Sequence, residues 1–413
     1  MGSSDLSGNR TVQCCIAGGG PAGMMLGLLL ARAGIKVLVL EKHRDFLRDF
    51  RGDTIHPSTL EVLHELGILE EFLKLPHQKV SELRAQFSDR LIPVADFRGV
   101  RARCPFIAMI PQWDFLNFLA RHAARYPGFG LMMQAEVTGL LFRENKIKGV
   151  EAESQDGPLQ IQADLVVGAD GRHSTVREQA GLEVLDLGAP IDALWFRVSR
   201  RPSDPANTMA RFDRGSILVM LNRGDYWQCA FVIAKGALDG LKQRGLEAFR
   251  ATISGLLPFA ADRMKEIASW DDAKLLSVQV NRLRNWCRDG LLCVGDAAHA
   301  MSPVGGVGIN LAIQDAVAAA NLLWGPLRAR SLSLGSLQAV QKRREFPTRV
   351  TQRFQVLVQN RILTRVLSDA GGPLQAPFAV RMLERYPILR QIPARLVGIG
   401  VRPEHVRSPS IAA

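Results

Sequence analysis

Three stretches far apart in the chain carry residues whose types and spacing suit the grip of a phosphate-bearing cofactor. The first, Gly18-Gly19-Gly20-Pro21-Ala22-Gly23, falls between an apolar run over 12–17, predicted as a strand, and a helical run over 24–33 that ends at Gly34. A dinucleotide-binding turn has to sit at such a junction. Gly18 allows the tight turn, Gly20 lets the backbone approach a pyrophosphate, and Gly23 lets helix and strand pack closely, so that the anion meets the positive helix end. A second buried strand is predicted over 36–40, and Glu41, followed by Lys42, closes it where a carboxylate can accept hydrogen bonds from a ribose diol. An acid there argues against a 2′-phosphate at this point. Isolated glycine-rich turns often bind nothing, but strand, helix, second strand and acid in this order weaken that reading.

The second stretch, 164–177 (DLVVGADGRHSTVR), is an apolar strand over 165–167 followed by Gly168, Asp170-Gly171, Ser174 and Arg177. Alone, Asp-Gly after a strand is only a turn. The third, 290–310 (GLLCVGDAAHAMSPVGGVGIN), begins with a strand over 291–294 and Asp296. Pro303, Gly305, Gly306 and Gly308 then form a loop stripped of side chains that opens a helix over 309–323 with Ile309 and Asn310. Backbone N–H groups and the helix dipole at such a loop stabilise negative charge.

In this combination and order the stretches resemble the class A flavoprotein aromatic hydroxylases, the para-hydroxybenzoate hydroxylase-like monooxygenases that include ubiquinone-pathway hydroxylases. The resemblance covers most of the chain and implies FAD as cofactor, with NADPH or NADH as electron donor. It places Asp170 and Gly171 on a segment that supports the pyrophosphate and is implicated in nicotinamide-cofactor use. It puts Asp296 on the ribityl chain and the 303–310 loop beside the isoalloxazine ring, where the helix end would stabilise the reduced anion. Val307 departs from the polar residue that some relatives carry there, and His299 reads as a structural residue beside Asp296. In RDFRGDTIHPSTLEVLHELGI, Arg51 falls on the family arginine near the FAD phosphates, ahead of a helix over 57–66. Gln112 falls on the glutamine that touches the cofactor before a helix, and Val137 on a strand whose backbone meets the adenine.

The implied activity is hydroxylation of an aromatic, phenol-like or related electron-rich molecule with dioxygen through a flavin C4a-hydroperoxide, in a site that excludes water. A base near the substrate hydroxyl helps, because a phenolate is the better nucleophile. Asp53 is the first candidate, since several phenol-hydroxylating relatives place an aspartate at the corresponding point. Spacing alone equally allows Asp53 to salt-bridge Arg51 or to cap the turn before Pro57. His56 and Tyr226 are the other candidates.

The elements that must position these residues suggest an α/β chain, α+β overall, in which a Rossmann-like FAD-binding domain (10–76, 102–186 and 286–335) is interleaved with a strand-rich substrate domain (77–101 and 187–285). Strands are predicted over 193–200, 208–212, 216–222 and 226–234, with a hairpin turn at Arg223-Gly224-Asp225 and a helix over 240–265 broken at Pro258. Residues 336–413 form a basic helical region. The 413 residues, 47% hydrophobic, exceed one ordinary core. Six cysteines without a CxxC pair argue against zinc or a disulfide framework and fit a reducing cytoplasm. No secretory signal precedes the first strand, and the apolar stretches look too short to span a bilayer.

Of the net charge of +12, residues 341–413 carry +9, with thirteen Lys or Arg against four Asp or Glu. Arginines there alternate with Phe346, Val350, Phe354, Val358 and Leu363 at helical spacing. The favoured reading is an amphipathic helix with its apolar face on the body and its arginines in water; a peripheral anionic surface is the alternative. No nucleic-acid module accompanies the charge. The expected partners are therefore a small aromatic or quinone-like substrate, dioxygen and NAD(P)H. Rival readings are an epoxidase, double-bond reductase or halogenase on the same fold, a flavin-holding interaction protein, and a plain NAD-dependent dehydrogenase. No Trp-x-Trp-x-Ile-Pro segment supports the halogenase.

Overall fold

A computed structural model describes residues 9–47, 54–88, 90–205, 208–213, 215–368 and 375–411. Its central sheet runs in the order Cys287–Arg288, Leu291–Cys293, Gly157–Gly168, Asn9–Ala17, Val37–Glu41, Phe129–Met133, and all pairings but the first are parallel. Parallel strands covered on both faces need apolar residues throughout. Val37–Glu41 is accordingly buried along its whole length. One face is covered by the helices Pro21–Arg32, Gln112–Ala123 and Gly308–Arg328. The other is covered by the hairpin strands Ala135–Arg143 and Lys146–Ser154, which continue from Gly157–Gly168. All six cysteines are buried with free thiols.

A second, seven-stranded sheet runs Lys274–Leu276, Ile191–Ser199, Tyr226–Ala234, Ser216–Asn222, Met209–Asp213, Glu82–Phe87, Arg90–Asp96. Alternation along these strands turns Leu194, Phe196, Val198, Leu218, Met220, Trp227, Cys229 and Phe231 onto Leu246–Leu256 and Pro258–Glu266, forming a separate core. The helix expected over 240–265 is interrupted once more than its sequence suggests. Gly245, at φ +88°, separates Leu238–Gln243 from Leu246–Leu256, a backbone conformation that a residue with a Cβ rarely adopts. Gln78–Val80 joins neither large sheet and pairs instead with Ile107–Met109, beside Thr54–Ile55.

A buried ion pair fastens the second sheet to its helical layer. Arg263 donates to both oxygens of Asp204, at 2.7 and 2.9 Å, and Trp227 Nε1 donates to the same carboxylate at 3.0 Å. The Arg263 guanidinium holds the Asp204 carboxyl down at about 2. A carboxylate with a native pKa below its unfolded value adds stability that is full above about pH 4 and is lost as pH falls toward 2. Urea unfolding at pH 5 and pH 2.5 should show the wild type losing most of about 2 kcal/mol that Asp204→Asn never has. Parallel losses in both proteins would remove the pair from this account.

Two expectations about the last third of the chain need correction. Val304–Arg328 is long and apolar enough to cross a membrane, contrary to the expectation from the sequence, yet 72% of its apolar 18-residue stretch is buried inside the fold. Its polar residues Asn310, Gln314 and Asp315 are among the buried ones, where protein groups can satisfy them. The next helix, Leu334–Val358, keeps Arg349 and Arg353 in water as expected but departs from the simple amphipathic reading elsewhere: Arg344, Gln352 and Gln355 are buried, whereas Phe346 and Leu357 are exposed. The chain end then returns across the first layer, where Arg32 donates to Ser408 O at 2.8 Å and Ile411 N donates to Arg32 O at 2.9 Å.

Candidate active site

The glycine turn forms because two of its glycines have no alternative. Gly18 sits at φ +104°, and a Cβ there would lie 2.3 Å from Ala169 O; one on Gly23 would lie 2.0 Å from Gly18 O. Gly20 differs from both. Its backbone is ordinary (φ −72°, ψ −177°), and among the described residues no atom lies within 4 Å of a Cβ built on it. Glycine at 20 therefore answers to the space in front of the turn rather than to the protein. Pro21 opens the helix without an N–H, and Met24 is bonded back to Gly20 O at 2.9 Å, so helix geometry leaves Ala22 and Gly23 to offer theirs. Glu41, nearly buried at the end of its strand, accepts from Gly19 N and His43 N, each at 3.0 Å. Lys42 pairs with Glu136 at 3.3 Å in solvent, next to buried Val137.

Asp170 and Gly171 stand beside this turn, because Ala169 N donates to Ala17 O at 2.8 Å. Burial pushes the Asp170 carboxyl up, against hydrogen bonds from Ser174 and Val176. Its Oδ1 is buried without a hydrogen-bond partner among the described residues. Space in front of Gly171 is open as well.

The loop after Pro303 turns through Gly305 (φ +79°) and Gly306 (φ +63°), then enters the helix at Gly308. Asn310 clamps it to the segment starting at Thr54: its Oδ1 accepts from His56 N at 2.9 Å and Thr59 Oγ1 at 2.7 Å, and its Nδ2 donates to Thr54 O at 3.2 Å. Thr54 Oγ1 donates to Gly306 O at 2.9 Å, and a Cβ on Gly306 would come within 2.8 Å of that hydroxyl. Ile309 packs partly on the main core, and Val307 turns inward. The helix-initial N–H groups of 308–310 point away from the helix body, as at any helix start.

Burial drives the His56 imidazole down to about 4, against a bond to Val397 O at 2.8 Å. The ring is thus neutral at pH 7 and donates from Nδ1. Tyr226 heads its strand opposite Ser199, with the Arg197 guanidinium 5.1 Å from its ring centre. Gln112 begins its helix rather than preceding it, and is buried. Arg51 and Asp53 lie outside the described residues.

His299 is structural, but its partner is not Asp296. Its Nε2 donates to Asp315 at 2.6 Å, and Gly295 N donates to the same carboxylate oxygen at 3.1 Å. Burial pushes the Asp315 carboxyl up, yet His299 and Arg344 together outweigh it and hold the group ionised. Arg344 Nε donates to Asp315 Oδ1 at 3.0 Å and Nη1 to Glu404 Oε1 at 3.4 Å. Further along the same helix, Gln352 donates to Asn281 O and Ala300 O, Gln355 bonds both Ser302 N and Ser302 O, and Gln359 donates to Ser302 Oγ. This row of glutamines holds the backbone that leads into the glycine loop. Only their spacing at 352, 355 and 359, one helical face, signals it in the sequence.

A protein-family model described as an FAD binding domain matches residues 11–354. The 6-methylpretetramide 4-monooxygenase of Streptomyces rimosus is 33% identical over 403 residues, covering 95% of this chain and 94% of that protein. A 12-dehydrotetracycline 5-monooxygenase/anhydrotetracycline 6-monooxygenase of the same species is 29% identical over 335 residues, and this chain covers 61% of its length. Among solved structures, pqsL, a probable FAD-dependent monooxygenase from Pseudomonas aeruginosa, shares the fold with a TM-score of 0.73 at 21% identity, over 87% of this chain and 99% of that one. With a family match through most of its length and a relative a third identical almost end to end, the chain belongs to the FAD-binding monooxygenases of the aromatic hydroxylase type and is an FAD-dependent oxidoreductase.

Proposed function

We propose that the protein hydroxylates a phenol-like aromatic, taking its electrons from NADPH or NADH and its oxygen from dioxygen. The observation that carries this reading is that no described residue comes within 4 Å of a Cβ on Gly20, in a turn bonded to Glu41 and lying beside Asp170. These groups fit FAD. Bound FAD would supply the redox chemistry, accepting hydride from the nicotinamide and activating oxygen.

The chain's residues then bind and orient. Gly18 and Gly20 bring the turn, with Pro21, Ala22 and Gly23, onto the pyrophosphate, assisted by Arg51; Glu41 and Lys42 meet the adenosine ribose side, and Val137 the adenine. Gln112, Asp170, Gly171 and Asp296 line the path from phosphates to ribityl chain. Pro303, Gly305, Gly308, Ile309 and Asn310 present the helix start to the ring. Because the Asn310 side chain is used up by Thr54, His56 and Thr59, its contribution there is its backbone. Segments 10–76, 102–186 and 286–335 make the FAD-binding half and 77–101 with 187–285 the substrate half, in a cytoplasmic enzyme.

For the base we retain Asp53, because the next residue, Thr54, is fastened to Gly306 of the loop. His56 is a poor base, since burial drives its imidazole down to about 4 and leaves Nε2 little affinity for a proton. Tyr226 contributes at most a substrate contact. The test is NADPH and NADH oxidation by the yellow holoenzyme, with phenols, quinone precursors and polyketide-like aromatics screened for stimulation and mass spectrometry for one added oxygen. Asp53→Ala should keep its flavin and lose on the order of a hundredfold in hydroxylation. An unchanged rate of product formation would remove Asp53 from the mechanism. Flavin reduction without any oxygenated product from the whole panel would remove the hydroxylase reading.

A further inference from the structure

The last two well-formed helices, Phe378–Arg385 and Gln391–Gly398, lie side by side on the strand Arg90–Asp96 and touch each other through 387–390. Val380 and Ala394 are their buried anchors. Their outer sides are apolar to a degree a water-facing surface does not require: Phe378 is 70% exposed, Ile388 68% and Ile392 65%, with Tyr386 exposed between them in the sequence. Large side chains exposed together mark a contact surface.

The charges among them have one sign. Arg381 and Arg385 share the outer stripe of the first helix with Phe378 at spacings of three and four, and Arg395 follows Ile392 by three on the second. The one acid on these helices, Glu384, is taken by Arg90 at 2.8 Å. Arginines interleaved with bulky apolar groups on an exposed helical face suit a bilayer surface, where the apolar groups enter the headgroup boundary and the guanidinium groups meet anionic lipid. A two-fold contact between copies of the chain would set these arginines against themselves, so charge favours the lipid.

We infer that this face docks the enzyme onto an anionic membrane. The inner side of the same helices points to a purpose. Val397 O holds His56, a Cβ on Gly305 would rest 3.4 Å from the Val397 side chain, and Gly398 packs on Phe97 and Pro57. Docking therefore sets the glycine loop one helix away from the lipid, where a poorly water-soluble aromatic accumulates. That last step rests on the aromatic-substrate reading; the docking does not.

The experiment is flotation of the full-length holoenzyme with vesicles of phosphatidylcholine alone or with 30% phosphatidylglycerol, at low and high salt. The wild type should float with the anionic vesicles at low salt and at least tenfold less with neutral ones. Ile388→Glu/Ile392→Glu and Arg381→Glu/Arg385→Glu should each reduce anionic binding at least tenfold, while flavin content and melting temperature stay at wild-type values, since all four side chains are exposed or half-exposed. Equal binding by wild type and both variants, or none by the wild type, overturns the proposal. So does a wild-type dimer in sedimentation that either variant splits, which would make the face a contact between copies. Because no reading involves turnover, failure here is separable from failure of the hydroxylase assignment.

Discussion

Gly20→Val is expected to yield a folded, colourless protein. Three glycines of the turn differ in what an added side chain would meet. At Gly18 and Gly23 a side chain would collide with backbone, 2.3 Å from Ala169 O and 2.0 Å from Gly18 O, so substitution there should damage folding itself. At Gly20 the backbone suits any residue and the described residues leave the space empty. Valine costs the apoprotein little, but its methyl groups occupy the volume through which the turn would meet the cofactor's phosphates. Losing two charge-assisted hydrogen bonds, at roughly 1.5 to 3 kcal/mol each, weakens FAD binding on the order of a hundredfold or more. The check has two parts. Apoprotein melting temperatures of Gly20→Val and wild type should agree, and added FAD should raise only that of the wild type, by mass action. Gly23→Ala should already melt lower without cofactor. Normal flavin occupancy in Gly20→Val would contradict the placement of the phosphates, and with it the convergence of the three stretches.

The second large effect is expected at Arg344, far from any glycine. Replacing it with alanine leaves the Asp315 carboxylate buried with His299 and Gly295 N alone, and strips Glu404 of one of its two arginines. Breaking a buried ion pair from one side typically costs about 3 to 5 kcal/mol, because the remaining charge stays desolvated. Arg344→Lys should recover only part of the loss, since a single ammonium cannot reach both carboxylates with the planar geometry of guanidinium. Arg349→Ala, which removes an exposed side chain 3.8 Å from Glu345 on the same helix, is the control and should cost at most about 1 kcal/mol. Chemical unfolding of the three variants separates these cases. If Arg344→Ala lost no more than Arg349→Ala, the network would not be holding the segment that carries Gly295, Asp296 and His299.

How much of this was legible beforehand divides along physical lines. The glycine turn could be read because its logic is local: a strand, a turn with required glycines and a helix follow each other within about twenty residues, and each leaves its own periodicity. The four middle strands of the second sheet were readable for the same reason, through their apolar runs and the hairpin at Arg223-Gly224-Asp225, whereas Lys274–Leu276 at its edge was not singled out. The helix over 240–265 was only half legible, because Gly245 can sit inside a helix at modest cost and nothing nearby announced that its φ would be positive.

The basic helix misled for a deeper reason. Amphipathic reasoning assumes that apolar side chains turn inward, which holds when burial is the dominant gain and no buried partner exists for the polar ones. Here Arg344 goes inside because Asp315 and Glu404, 29 and 60 residues away, meet it there, and Gln352, Gln355 and Gln359 go inside because the loop before Gly305 leaves backbone groups to satisfy. Sequence order carries spacing along the chain, so it could specify the turn that would hold a phosphate and the kind of cofactor that turn suits. It carries no distances through space, and desolvating a charge or an amide is tolerable only when a partner stands at hydrogen-bond distance. Which polar residues were core was therefore decided by the tertiary fold alone.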